Sequence, residues 1–302
     1  MQYSGYKKEK RIQTLIPKKG MLQRPWLPEG LRRHRQPPKK VPIILPKPDF
    51  MPSYLVRTSD MKLVPGSQVH EGYCALSYCW NQSGKIIKTE TDGKDVQRVD
   101  QGKHEIMFPP KTVRKSPRGR KRIPGKIKFV SFKGLIQEIC KDFNIKYIWY
   151  DQMCINQDDD GETHREIRQM HKIYSNAYCT IALVPELTVR KRRLYYSSPL
   201  TFPEIDILRL HHSEWMKRIW TLHETLMSTK MILIGTDTHW WSHEIPSFVF
   251  GVFGQNCNYN IPRVLYHAHA RASTKRHDHV FALANIFPDS LKEITINYKQ
   301  DL

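Results

Sequence analysis

Few side chains in this 302-residue chain have the type and spacing to do chemistry, and Glu224 is the first of them. It lies in the run EWMKRIWTLHETLM, four residues after Trp220, so on a helix the two share a side. In that run Trp215, Ile219, Leu222 and Leu226 form one apolar stripe, with Glu224 opposite it. An indole on an otherwise polar face marks either a cleft wall or packing under a loop. In the cleft a neighbouring carboxylate is partly desolvated, which raises its pKa. In the other reading Glu224 is exposed near Lys217.

Ser77, Tyr78 and Trp80 close the run YCALSYCW and offer a hydroxyl with stacking rings, ordinary ligand-site chemistry, or else core. Asp151, Asn156 and Gln157 follow the run YIWY; such side chains contact sugar hydroxyls or tie a loop to its own backbone. The close histidine pairs 211/212, 267/269 and 277/279 join no carboxylate or cysteine at ligand spacing, so no metal is expected. Asp158–Asp160 lacks the alternating ligands of a calcium loop and reads as negative charge ahead of a helix N-terminus. There is no phosphate-binding glycine loop of either common type.

These residues need elements to position them. Tyr147–Tyr150 reads as a buried strand and 151–161 as a polar loop. Thr163 with Glu166 can form a capping box. Ile167, Met170, Tyr174 and Ala177 recur at helical spacing, and Cys179–Val184 is a second buried strand. Strand, loop, helix, strand is a βαβ unit with parallel strands, and such sheets carry their working loops at the carboxyl ends of the strands. Elsewhere a hairpin is expected over 54–64, a helix over 132–143, one long helix over 214–227 and a strand over 230–235. Further helices are expected at 245–253, 261–272 and 278–287, with an extended piece at 294–298. The fold class is α/β with a mostly parallel sheet flanked by helices.

The formal charge is +20, but it is unevenly placed. Residues 1–50 hold 13 Lys/Arg against 3 acids, and residues 111–133 hold 10 against none. The remaining 26 basic residues are balanced by 26 acidic ones, which argues against a basic groove-binding scaffold. Residues 1–50, with eight of the twenty prolines, read as a mostly disordered basic tail, and 111–130 as a basic loop inserted into a domain spanning 51–298. Either segment suits an anionic surface, nucleic acid or a solvated role. The six cysteines form no CxxC pair, no apolar run reaches membrane-span length, and the N-terminus is basic and polar. A reduced cytoplasmic protein is expected, with nuclear entry open.

In this order the segments resemble the fungal heterokaryon-incompatibility (HET) domain. The pattern of an aromatic followed by xALSYxWG is met by Tyr73, Ala75, Leu76, Ser77, Tyr78 and Trp80, with Asn81 at the glycine. The pattern IWIDxxCINQxDxxE…MxxIYxxA is met by Ile148, Trp149, Asp151, Cys154, Ile155, Asn156, Gln157, Asp159, Glu162, Met170, Ile173, Tyr174 and Ala177. Glu166–Ile167 stands at the family's Gln-Val. RxWTLQE appears as Arg218–Glu224 with His223 at the glutamine, and Arg276–Ala284 echoes the closing pattern. The resemblance implies an effector of non-self recognition and programmed cell death, acting by self-association or through another signalling protein.

HET domains are remotely similar to TIR domains, innate-immunity modules of flavodoxin-like fold, some of which hydrolyse NAD with a helical glutamate. By that likeness Glu224 is the catalytic residue and NAD the substrate. Ser77, Tyr78, Trp80, Asp151, Asn156, Gln157 and Trp220 are then its binding residues. A carboxylate near the ribose would stabilise the oxocarbenium-like state. The alternative is a non-catalytic death-signalling module that works by binding.

Overall fold

A computed structural model describes residues 2–4, 44–80, 86–88, 96–98, 103–108, 111–114, 119–188, 207–236, 238–244, 261–273, 275–287, 289, 294 and 297–299. The central sheet has seven strands: β1 (Tyr54–Arg57), β2 (Lys62–Pro65), β3 (Cys74–Ser77), β4 (Tyr147–Trp149), β5 (Thr180–Leu183), β6 (Met231–Ile234) and β7 (His239–Trp241). Their order is β7-β6-β5-β3-β4-β1-β2. The four inner strands β6, β5, β3 and β4 are mutually parallel, and β7 and β1 pair antiparallel at the two sides. The chain is α/β, as its alternating apolar runs imply.

Numbered among themselves, the parallel strands run 2-1-3-4, the first four places of the flavodoxin-like order. Beyond them the sheet departs from it. Where a fifth parallel strand would stand, β7 is antiparallel, and the β1–β2 hairpin extends the other edge. The expected βαβ unit places β4 and β5 parallel, but β3 lies between them and pairs with both. From β3 the chain runs to β4 on one side and later to β5 on the other. The topological switch point therefore falls between β3 and β5, at Ser77 paired with Ala182.

The helices are α1 (Phe132–Phe143), α2 (Asp151–Cys154), α3 (Asp160–Asn176), α4 (Ile207–His211), α5 (Glu214–Lys217), α6 (Ile219–Met227), α7 (Ile261–His269) and α8 (His277–Ile286). The Ser131 hydroxyl caps α1 by accepting from Gly134 N–H at 3.2 Å, and Asn144 ends it in the left-handed region at φ 55°. Leu135, Ile136, Ile139 and Phe143 give α1 its buried face. The cap of α3 is Asp159, which accepts from Glu162 N–H at 3.0 Å, and not Thr163, whose hydroxyl bonds the Asn156 carbonyl. Glu166 is fully buried instead, accepting from the Ser53 hydroxyl at 2.6 Å. Asp159 and Asp160 thus supply the negative helix start anticipated for the aspartate run.

The expected helix over 214–227 is two. Arg218 is extended (φ −84°, ψ 140°), ending α5 and starting α6, and it bridges Ala272. Ile219 N–H donates to the Ala272 carbonyl at 3.0 Å and Ala272 N–H to the Lys217 carbonyl at 2.6 Å. A distant strand-like residue thereby takes the backbone groups that a continuous helix would have paired internally.

Helices expected at 261–272 and 278–287 span Ile261–His269 and His277–Ile286. Among the described residues of 294–298 none is in a strand, while Ile294 and Tyr298 pack against the main core. Residues 245–253, Cys257, 189–206 and 5–43 lie outside the described residues. At the chain start, Gln2–Ser4 pairs parallel with Lys103–Met107, which pairs antiparallel with Ile127–Ser131. Lys111–Arg114 and Arg120–Ile123 form a hairpin within the stretch expected to be a loop. The other five cysteines are free and buried.

Gly235 ends β6 against the Leu187 loop, and a Cβ there would stand 2.0 Å from the Leu187 carbonyl oxygen. Gly235→Ala should therefore cost about 1–3 kcal/mol by forcing the loop outward. The check is a lower urea midpoint at unchanged slope; an unchanged midpoint would deny the close approach.

Candidate functional site

Strand β3 is buried along its whole length, as a parallel inner strand must be. Side chains alternate across it, so Ala75 and Ser77 share one face with Thr180 and Ala182 of β5, their register partners. The polar face of α6 turns onto this face of the sheet. Thr180 and Ser228 hydroxyls meet at 2.6 Å, and the Ser77 hydroxyl donates to Glu224 Oε2. The opposite, apolar face of α6 (Ile219, Leu222, Leu226) packs with Val264, Ala268, Ala282 and Ile286 of α7 and α8. Glu224 does lie opposite the apolar stripe, but that side is buried: the residue is 6% exposed, so the surface reading beside Lys217 does not hold.

The Ser77 hydroxyl also accepts from Trp215 Nε1 at 2.7 Å, making Trp215–Ser77–Glu224 a chain of two hydrogen bonds across α5, β3 and α6. Burial pushes the Glu224 carboxyl up to about 7. The Ser77 bond works against this, the Asp151 charge adds to it, and Arg218 and Arg271 oppose it. Arg271 is itself buried, its guanidinium held by the Arg218 carbonyl at 2.9 Å and Thr221 Oγ1 at 2.8 Å. Desolvation lowers its pKa to about 10, with Glu224 acting the other way.

One residue along from Ser77, the Tyr78 hydroxyl donates to Asp151 Oδ1 at 2.9 Å, and Trp80 Nε1 donates to Asp151 Oδ2. Asp151, first in α2 at the carboxyl end of β4, also accepts from Gln152 N–H at 2.8 Å. Arg218 reaches the Tyr78 carbonyl at 3.2 Å. The strand ends thus gather Ser77, Tyr78, Trp80, Asp151 and Glu224 into one polar cluster. Asn156 and Gln157 are exposed and bond within their own loop: Asn156 Oδ1 accepts from Asp158 N–H, and Gln157 Nε2 donates to the Ile155 carbonyl. Trp220, half-buried, packs among the core clusters, its ring roughly perpendicular to that of His223 with centroids 6.2 Å apart.

Residues 73–204 match the family model described as heterokaryon incompatibility protein (HET). This segment is a HET domain. No curated protein and no solved structure matches the chain. Ser77, Tyr78, Trp80 and Asp151 lie inside the matched HET segment, whereas Glu224, Trp215 and Arg271 follow it.

Four residues at the site escaped sequence reasoning as contributors: Trp215 as a donor, Tyr174, His223 and Arg271. The Tyr174 hydroxyl bonds the Leu76 carbonyl at 3.1 Å, and burial, then the Glu224 charge, hold it well above its usual pKa. His223 is fully buried, neither ring nitrogen has a hydrogen-bond partner, and burial takes its pKa to about 3. It is neutral near pH 7 and packs edge-on against the rings of Tyr174 and Trp220. Tyr174 and His223 fall within HET patterns and Trp215 within the apolar stripe, which marked it as core; Arg271 carries no signal in its own spacing. Among the described residues no His/Cys/Asp/Glu group could hold a metal ion.

Glu224 makes stability depend on pH. Its pKa is raised from 4.5 to about 7 on folding. Between those values the folded protein keeps a proton that the unfolded chain releases, so stability falls as pH rises through the window, by about 3 kcal/mol in all. Glu224→Gln keeps the neutral shape and lacks this loss. It should match the parent near pH 4.5 and exceed it by up to about 3 kcal/mol above pH 7, read from urea unfolding at both pH values. Equal stability at both would show that burial does not perturb Glu224.

Proposed function

We propose that the chain acts in heterokaryon incompatibility as a cell-death effector that hydrolyses NAD, with Glu224 as its catalytic residue. The observation that carries this reading is a carboxyl raised to about 7, bonded to Ser77 at the switch point of a parallel sheet. Ligands of open α/β sheets bind outside the carboxyl ends of the strands at that point. Tyr78, Trp80 and Asp151 would form the rim there, with Asn156, Gln157 and Trp220 further out. NAD enters as substrate, and self-association or a signalling partner is the trigger within this reading.

The chemistry is balanced without a metal. Cleavage of the nicotinamide–ribose bond sends its electron pair to the nicotinamide nitrogen, neutralising the pyridinium and leaving an oxocarbenium-like ribose. Ionised Glu224 stabilises that positive charge. Water then adds at the ribose carbon and gives up a proton, which a carboxylate of pKa about 7 accepts near neutral pH. The products are nicotinamide and ADP-ribose.

A second reading has one observation in its favour. The Ser77 hydroxyl is already engaged on both sides, donating to Glu224 and accepting from Trp215, as in a purely structural network. The chain would then signal death as a non-catalytic module that binds partners or copies of itself.

The two readings separate on NAD turnover. Purified protein incubated with NAD should release nicotinamide, and Glu224→Gln should lower the rate at least ~100-fold with its circular dichroism and unfolding midpoint at neutral pH no worse than the parent's. Unchanged turnover in the variant removes Glu224 from the mechanism. Toxicity in cells whose NAD does not fall favours the binding module.

A further inference from the structure

Of the twelve large hydrophobic side chains exposed among the described residues, five fall between residues 108 and 129: Phe108, Val113, Ile123, Ile127 and Phe129. Single exposed apolar residues are ordinary, but a concentration of them marks a contact surface. Their placement follows from the sheet. On the small sheet of Gln2–Ser4, Lys103–Met107 and Ile127–Ser131, His104 and Ile106 are buried and Val130 packs on the main core. By the period of two, Ile127 (59% exposed) and Phe129 (66% exposed) take the outer face, and Lys128, in register with Ile106, is exposed on the other side of this edge strand. Ile127–Ser131 is also an edge strand of that sheet. In the hairpin that precedes Ile127–Ser131 in the chain, the register pairs Val113 with Lys121 and Lys111 with Ile123.

The charge along this stretch of the chain is of one sign. Residues 111–133 carry ten Lys/Arg and no acid, and Lys121, Lys126, Lys128 and Lys133 are exposed. The acid in register with Phe129 is Glu105, which is half-buried. We infer that this face is a docking surface for a bilayer containing anionic lipid, with the lysines meeting headgroups and Ile127 and Phe129 entering the interface. Exposed apolar side chains flanked along the chain by lysine are the composition of peripheral membrane binding. Single-stranded nucleic acid asks for aromatic platforms on which bases stack, and three of the five exposed residues are aliphatic. The inference stands apart from NAD chemistry, since none of these residues belongs to the Glu224 cluster.

The test is co-sedimentation of the full chain with vesicles of phosphatidylcholine alone or mixed with phosphatidylserine, at low and high salt, beside retention of a single-stranded RNA. Binding should be at least tenfold tighter to the mixed vesicles and weaken with salt. Lys121→Glu/Lys126→Glu/Lys128→Glu should abolish it. Ile127→Ser/Phe129→Ser should weaken vesicle binding several-fold and leave RNA retention unchanged. All five positions are exposed, and an unchanged unfolding midpoint verifies that both variants fold. Equal binding to neutral vesicles, no binding to either, vesicle binding indifferent to the Ile127/Phe129 pair, or RNA bound in preference would each overturn the inference.

Discussion

The Ser77 hydroxyl, held between Trp215 and Glu224, is the contact on which the rest of the architecture turns. A carboxyl that loses water on burial must find a hydrogen bond, keep its proton, or both. Here Ser77 on an inner strand supplies a bond to the carboxyl, which lies too deep to be solvated. The constraint fixes strand register. A slip of one residue in β3 would turn Leu76 toward α6 and leave Glu224 with an apolar neighbour. It also fixes α5, because Trp215 must bring its indole N–H to the same oxygen. Three elements far apart in the chain are thereby committed to one geometry.

Helix α6 makes that commitment workable by facing the unusual way. Amphipathic helices normally lay their apolar stripe on the sheet. In α6 the stripe packs instead with Val264, Ala268, Ala282 and Ile286, and the polar side meets β3 and β5. Thr221 and Thr225 satisfy their hydroxyls on nearby carbonyls, which lets this polar side be buried at low cost. Helices α7 and α8 are therefore needed to cover α6, although both follow residues 73–204 that match the HET family.

Much of this was legible because burial writes itself into the sequence locally. The inner strands β3, β4, β5 and β6 are short continuous apolar runs, and α1 shows its Leu135/Ile139/Phe143 stripe plainly. What failed depended on residues elsewhere. EWMKRIWTLHETLM has the composition of one helix; its break at Arg218 comes from Ala272, more than fifty residues on. The Thr163/Glu166 box looked sufficient until Asp159 offered a better cap and Ser53 claimed Glu166. Ser77, Tyr78, Asp151 and Glu224 could be singled out by type, but Arg271 and His223 owe their place to burial alone. No periodicity announces a buried arginine.

Arg218 explains why the two halves of the cluster act together. The deep half is Glu224 with Ser77 and Trp215; the rim is Tyr78 and Trp80 on Asp151. One peptide bond separates Ser77 from Tyr78, and Arg218 holds the Tyr78 carbonyl while its own carbonyl receives Arg271. The same residue ends α5, begins α6 and sets the direction in which Glu224 points. Asp151 raises the Glu224 pKa from the rim side, and the two arginines restrain that rise from the helix side. The proton on Glu224 is thus set first by burial and the opposing Ser77 bond, and then by the Asp151 charge against those of Arg218 and Arg271. Any ligand that engages Asp151 or Arg218 alters that balance before it touches the buried carboxyl.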